Sequence, residues 1–178
     1  RSIGKKREDI MRLAQGEYLT FIDDDDRVSE DYVSSIMDCL YNNPDADCVV
    51  FDSICTVNGG YEKLCKYGIE YEYGDIENGK EWRGKPAHTM VYKTTIAHKH
   101  SFEDMGSGED INWVVRACED IQNQVRIDKV LYYYDANYTT TSECVGLPDD
   151  IITHNIQVII DEREEEEREL EIQKLKEI

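Results

Sequence analysis

The sequence predicts an α/β fold, a mixed sheet flanked by helices. Three observations carry this reading. Over residues 2–53 the apolar pattern alternates between helix and strand, in the order helix, strand, helix, strand. The strand segments are short apolar runs, of which Cys48-Val49-Val50-Phe51 is the clearest. At 178 residues, with 40% hydrophobic and 33% charged residues, the chain can build one core and keep a charged surface.

Each element has a local reason. Ser2 to Gln15 reads as a helix, with Ile3, Ile10, Leu13 and Ala14 near a 3.6-residue period and Gly16 as its stop. Tyr18, Thr20, Phe21 and Ile22 favour a strand. Ser29 is placed to cap the next helix, whose apolar stripe is Tyr32, Val33, Ile36, Met37, Leu40 and Tyr41. Asn42-Asn43-Pro44 ends that helix, and Asp47 to Ser53 is the second strand. Residues 57–86 mix glycines with Tyr61, Tyr67, Tyr71, Tyr73 and Trp82, which reads either as an irregular β insertion or as a flap facing substrate. Ala87 to Tyr92 is expected as a strand, Thr94 to His100 as a short helix or turn, and Gly106-Ser107-Gly108 as a loop. A helix is expected over Glu109–Asp120, with Ile111, Val114, Val115 and Cys118 on one face, then a strand over Val125–Tyr134. The domain is expected to span 1–150. Residues 151–178 form a tail whose helix, from Glu162, has no apolar stripe in its middle, so it suits a partner or second copy rather than the core.

The charge narrows the function classes. The formal charge is −19, and residues 161–178 alone hold nine acids against four bases. Such a surface argues against nucleic acid as an electrostatic partner. Lys5-Lys6-Arg7 is a local basic exception. No apolar run is long enough to span a bilayer. The six cysteines show no CxxC pair, and they read as small core residues of a cytoplasmic protein. The chain opens without Met, which leads us to expect a segment upstream of Arg1.

Asp23-Asp24-Asp25-Asp26 is the sharpest feature. Four adjacent carboxylates repel one another, and a core does not bury them unpaired. On its own an acidic run is a solvated turn. Here it follows a strand, and in open α/β sheets ligands bind beyond the carboxyl ends of strands. A hard cation such as Mg²⁺, Mn²⁺ or Ca²⁺ suits such oxygens.

Three stretches taken in order carry a resemblance: Ser2-Ile3-Gly4-Lys5-Lys6-Arg7, then Ala14-Gln15-Gly16-Glu17-Tyr18, then Phe21-Ile22 followed by the four acids. A fourth, Gly108-Glu109-Asp110, follows downstream at the start of a helix. The set resembles the family 2 glycosyltransferases over about residues 1–135. The resemblance implies the GT-A fold, here in a truncated version, because the family's first strand–helix–strand has no counterpart in the chain. A further departure is Glu8, where the family usually has Asn.

What the resemblance implies about chemistry is specific. The donor is a nucleotide-diphosphate sugar, UDP-type by expectation, and the acceptor is a hydroxyl compound. Asp25 would ligate Mn²⁺ or Mg²⁺, and Asp23 would hold the ribose, or the ion through water. Asp24 and Asp26 would orient or be solvated. Asp110 would take the acceptor proton, with inversion at the anomeric carbon, and Glu109 would orient the acceptor or anchor the helix. Arg7 and Lys6 would steady the diphosphate. By location alone, Arg83, Lys85 and His88, just before or at the start of the expected strand, are candidates to face donor or acceptor; the family's late metal-ligand position is either unfilled here or taken by Asp135. Two other readings compete: a non-catalytic acidic module that binds a metal or a partner, and a phosphohydrolase using D-x-D after a strand, which Asp26-Arg27-Val28 suits poorly.

Overall fold

The structure, a computed structural model, describes residues 1–57, 60–72, 75–77 and 81–136. They belong to a unit spanning Arg1–Val145. The expected tail over 151–178 lies outside the described residues, and so does Tyr73 in the glycine-rich stretch.

Helix α1 (Ile3–Leu13) leads to strand β1 (Tyr18–Leu19), the acidic turn, β2 (Arg27–Val28) and α2 (Tyr32–Asn42). Strands β3 (Cys48–Val57), β4 (Tyr61–Tyr67), β5 (Asp75–Glu77), β6 (Glu81–Gly84) and β7 (Val91–Lys93) follow. Then come α3 (Thr94–Ala97), α4 (Glu109–Cys118) and β8 (Gln124–Ala136). This is the mixed α/β sheet that the sequence predicts.

Strand β3 is the spine. Along one edge β8 runs parallel to it, with irregular register at Phe51–Ser53. Along the other edge it pairs first with β7, at Cys48 and Val49, and then with β4, from Ser53 to Val57. Beyond β4 lie β6, parallel, and β5, antiparallel to β6. The stretch after residue 57 is therefore an extension of the main sheet, with Trp82 packed edge-on to Tyr67 at 5.5 Å. Strand β1 pairs antiparallel with β7, and β2 pairs antiparallel with β8 at Tyr132 and Tyr133.

Cys48, Val49, Val50 and Phe51 are fully buried, as their unbroken apolar run requires. Trp113 of α4 anchors the opposite layer. It stacks on Phe102 with ring centres 5.0 Å apart and meets Tyr92 edge-on at 4.9 Å. Its indole N–H donates to the His100 carbonyl, so burial leaves no unpaired donor.

The helices turn differently from their apolar periodicity. In α1 the buried residues are Gly4 and Met11, while Ile10 and Leu13 are 61% and 77% exposed. The inward face is Gly4, Arg7 and Met11, one turn apart each. A glycine permits close approach and an arginine serves ion pairs, and neither counts in a hydrophobic pattern. In α2 Tyr32 and Ile36 are buried, whereas Val33, Met37 and Tyr41 face out. In α4 the core face is Trp113, Val114 and Ala117, and Val115 is exposed.

Ser29 does not cap α2. Its hydroxyl donates to the Asp31 carboxylate, which also accepts from Ser35 and from Lys129 of β8. The expected strand over Ala87–Tyr92 is mostly a turn, with only Val91–Lys93 extended. No helix among the described residues is long and apolar enough to cross a membrane.

Candidate active site

The four acids have four different environments. Asp24 and Asp25 sit at the tip of the turn and are exposed. Asp23 and Asp26, on its shoulders, are part-buried, and the Asp26 N–H donates to the Asp23 carbonyl. Tyr132 of β8 locks the turn from below. Its hydroxyl donates to Asp26 Oδ2 at 2.5 Å and accepts from the Asp23 N–H at 3.2 Å. Asp26 Oδ1 is buried with no hydrogen-bond partner. Burial pushes this carboxyl up, against the pull of the Tyr132 hydrogen bond, and the Asp23 and Asp25 charges add to the rise. Asp26 thus latches the turn to β8, with one oxygen out of reach of solvent.

Asp23 is the junction of the site. Arg7 Nη2 donates to both of its oxygens, at 3.0 and 3.1 Å, and His88 Nε2 lies 3.2 Å from Oδ2. Burial alone would raise this carboxyl. The hydrogen bond and charge of His88, and then those of Arg7, outweigh it and hold the group below the ordinary aspartate range.

The second acidic pair arrives from the start of α4. Gly108 precedes the helix with φ +75°, the left-handed region, and so swings Glu109 and Asp110 into the first turn. Their charges suit a helix N-terminus. Glu109 is buried, with its Oε1 3.3 Å from Arg7 Nε. Burial raises its carboxyl, the Asp110 charge adds to this, and Arg7 works against it. Asp110 is more open, with a third of its side chain exposed. Its Oδ1 accepts from the Ile111 N–H at 2.9 Å, and its Oδ2 lies 3.5 Å from His88 Nδ1.

Two side chains therefore join the acidic turn to α4. Arg7 touches Asp23 and Glu109, and His88 touches Asp23 and Asp110. The two acidic motifs converge on one place. Of the expected residues, Asp23, Glu109, Asp110 and Arg7 come together in one network. Asp24 and Asp25 border it from the exposed tip, and Lys6 is exposed on α1 outside it. Two carboxylates, Asp23 and Glu109, engage Arg7. One of its donors, Nη1, is buried without a partner. His98 and His100 are tied elsewhere, to the Met11 carbonyl and to Asp120.

A hard divalent ion asks for one or two carboxylates and takes its other oxygens from phosphate and water. Asp25 fits that demand, being exposed and outside the ion-pair network. Asp23 already accepts from Arg7 on both oxygens and faces His88 at Oδ2, which leaves fewer of its lone pairs open. Among the described residues no group of three or more His, Cys, Asp or Glu is placed to share a metal.

The support for α1 explains the Gly4 and Glu8 positions. A Cβ on Gly4 would lie 1.9 Å from the Glu103 carbonyl oxygen, and the Gly4 N–H donates to Met105. Glu8 accepts from the Phe102 N–H at 2.8 Å and pairs with Arg12 at 2.7 Å. Both contacts fix the loop that enters α4. The model of the family described as "Glycosyl transferase family 2" matches residues 2–106, which include Gly4, Arg7, the acidic turn and His88.

The chain belongs to glycosyl transferase family 2. Solved structures agree on the fold. A crystal structure of S. aureus TarS residues 1–349 matches with a TM-score of 0.58 at 17% identity, covering 75% of this chain and 40% of that one. The same portion of TarS in complex with UDP matches at 0.57 and 18% identity, covering 76% and 40%. Its complex with UDP-GlcNAc matches at 0.55 and 18% identity, covering 76% and 39%. The chain thus has the GT-A fold of these family neighbours and spans about 40% of their length. No curated protein sequence matches it.

Proposed function

We propose that this chain carries the catalytic part of an inverting glycosyltransferase that moves a sugar from a nucleotide-diphosphate donor to an acceptor hydroxyl. The observation that carries the reading is the convergence of the acidic turn and the α4 acids, bridged by Arg7 and His88. The TarS complexes with UDP and UDP-GlcNAc favour a UDP-type donor.

Asp110 is the base. Of the two α4 acids it is the open one, while Glu109 is buried against Arg7 and anchors the helix. The acceptor O–H gives its proton to Asp110 as the oxygen bonds to the anomeric carbon, and the bond from that carbon to the diphosphate oxygen breaks. Attack from the face opposite the leaving group inverts the centre. Asp25 would hold Mn²⁺ or Mg²⁺, which when bound neutralises charge on the leaving diphosphate.

The test is nucleotide release from UDP-GlcNAc with Mn²⁺, with UDP affinity measured in parallel by calorimetry. Asp110→Asn is expected to slow release by roughly 10²–10⁴-fold while UDP still binds. Asp25→Ala is expected to abolish the Mn²⁺-dependent part of UDP binding. Undiminished release by Asp110→Asn removes the assignment of the base. Calcium binding with no affinity for UDP would favour a non-catalytic acidic module.

A further inference from the structure

We infer that His88 is a positioning residue that aims the Asp110 carboxylate, and that its Nδ1 side is the side that matters for transfer. This rests on Asp110 being the base.

The argument starts from who else serves each carboxylate. Asp23 has Arg7 on both of its oxygens as well as His88, so it keeps a cationic partner when His88 is removed. Asp110 has no such partner among the described residues, because the Nε of Arg7 faces Glu109 instead. Its Oδ1 is held by the Ile111 N–H, and His88 Nδ1 stands opposite Oδ2. The backbone thus holds one oxygen, and the imidazole faces the other at 3.5 Å, close enough to bias its direction.

The imidazole is itself held. His88 is 8% exposed and lies in the turn between Pro86 and Val91. The Tyr92 hydroxyl, at the floor of the core, donates to the Pro86 and Ala87 carbonyls at 3.1 and 3.0 Å. The Met90 N–H closes the turn onto Ala87, and the Thr20 hydroxyl donates to the Thr89 carbonyl at 2.9 Å. The Phe21 ring stands beside the imidazole, with centres 6.1 Å apart. Asp23 fixes the ring at Nε2. The turn on either side of His88 is thus fixed at Pro86, Ala87 and Thr89, and each ring nitrogen faces a different motif. Held this firmly, it has the rigidity that an orienting group requires.

Two substitutions separate the two sides of the ring. The amide nitrogen of Asn lies as many bonds from Cβ as Nδ1 does, and that of Gln as many as Nε2. His88→Asn therefore places an amide N–H on the Asp110 side, and His88→Gln places one on the Asp23 side. In the UDP-GlcNAc release assay, His88→Ala and His88→Gln are expected to lower kcat by roughly 10–100-fold with KM little changed, the size seen when an orienting partner is lost. His88→Asn is expected to restore most of kcat. Equal rates for all three variants, or a loss confined to KM, would overturn the inference. Asp110→Asn is the control. If it is inactive while His88→Ala is fully active, the base stands and only the role of His88 fails. If it is active, the base assignment itself fails.

A readout without substrate covers the case of unmeasurably slow release. In the long-range nitrogen–proton NMR spectrum of the ring, Asp110→Asn is expected to move the His88 Nδ1 resonance. An Nδ1 resonance that stays in place would show that the two groups do not interact, and would overturn the inference on its own.

Discussion

Asp26 and Tyr132 show how single residues hold the acidic turn in shape. The Tyr132 hydroxyl serves two groups at once, and the carboxylate it serves is part-buried with one oxygen unpaired. Removing the hydroxyl by Tyr132→Phe takes a partner from the part-buried Asp26 carboxylate and from the Asp23 N–H, at a cost of about 1–3 kcal/mol in urea unfolding. Asp26→Asn keeps an acceptor for Tyr132 and removes the charge. Because the Asp26 carboxyl is raised in the folded protein, its ionisation opposes folding at neutral pH and ceases to do so once acid protonates it. Asp26→Asn is therefore expected to be at least as stable as the parent at pH 7, with any advantage shrinking toward pH 4. A clear loss of stability at pH 7 would show that the charge is needed in place. Little of this was legible in the chain. The acids could be read as a turn at a strand end, but four identical letters could be ranked only through the family resemblance, not from their own environments. Those environments come from residues far away in sequence, Arg7, His88 and Tyr132, that no spacing rule ties to the turn.

At the scale of elements, the helices set the distance between the two acidic motifs. Two glycines do this in different ways, and the difference is measurable. At Gly4 the backbone conformation is ordinary, but a Cβ would strike the Glu103 carbonyl. Gly4→Ala must push α1 away from the loop entering α4, and an overpacked site of this kind costs about 1–3 kcal/mol. At Gly108 there is open space, but φ is +75°. Gly108→Ala pays only for the left-handed backbone, about 1–2 kcal/mol. Gly4→Ala is also expected to weaken the link from Arg7 to Glu109. It should thus lower nucleotide release more than its stability loss explains, whereas Gly108→Ala should not. The existence and order of α1, α2, β3, α4 and β8 could be read from apolar pattern and stop signals. Which face each helix buries could not. Pattern reading placed Ile10, Leu13, Met37 and Val115 on inward stripes, yet they are exposed, because close approach at Gly4 and ion pairing at Arg7 decide the rotation of α1. The turn at 87–90 was read as strand for a similar reason. Its residues are buried and partly apolar, but the Tyr92 hydroxyl and Thr20 satisfy its backbone instead of a neighbouring strand.

For the whole molecule the controlling quantity is its carboxylates. Asp23 is held low by His88 and Arg7 after burial is overcome, and Glu8 is also lowered against the push of burial, chiefly by Arg12. Asp31 is pulled to about 2 by hydrogen bonds from Lys129, Ser29 and Ser35. Such groups stabilise the fold at every pH above their unfolded values near 4, and the contribution disappears as pH falls through their folded values. Glu109 and Asp26 act with the opposite sign, costing stability above their raised values. The two sets act in different windows: stability declines as pH rises from about 4 through the raised values of Glu109 and Asp26, and it falls steeply as pH drops below about 4 and the lowered carboxylates are protonated. A melting temperature still rising as pH drops below 4 would contradict this assignment. That the chain is strongly acidic was plain from composition. That its acids divide into opposed groups depends on which of them the fold buries beside a cation, and composition does not contain that.

The exchange of neighbours along β3 has a consequence for how this architecture tolerates change. Its first residues are gripped on both edges, by β7 and β8, at the level where Leu19 and Tyr92 carry the chain toward the acids. From Ser53 onward the partner on one side is β4, and β6 and β5 hang from it in turn. The irregular register at Phe51–Ser53 falls at the same level and works as a joint between two panels. Lengthening, trimming or recolouring the outer panel leaves the inner one hinged where it was. Changes confined to β5 and β6 therefore leave untouched the residues that hold the carboxylates together.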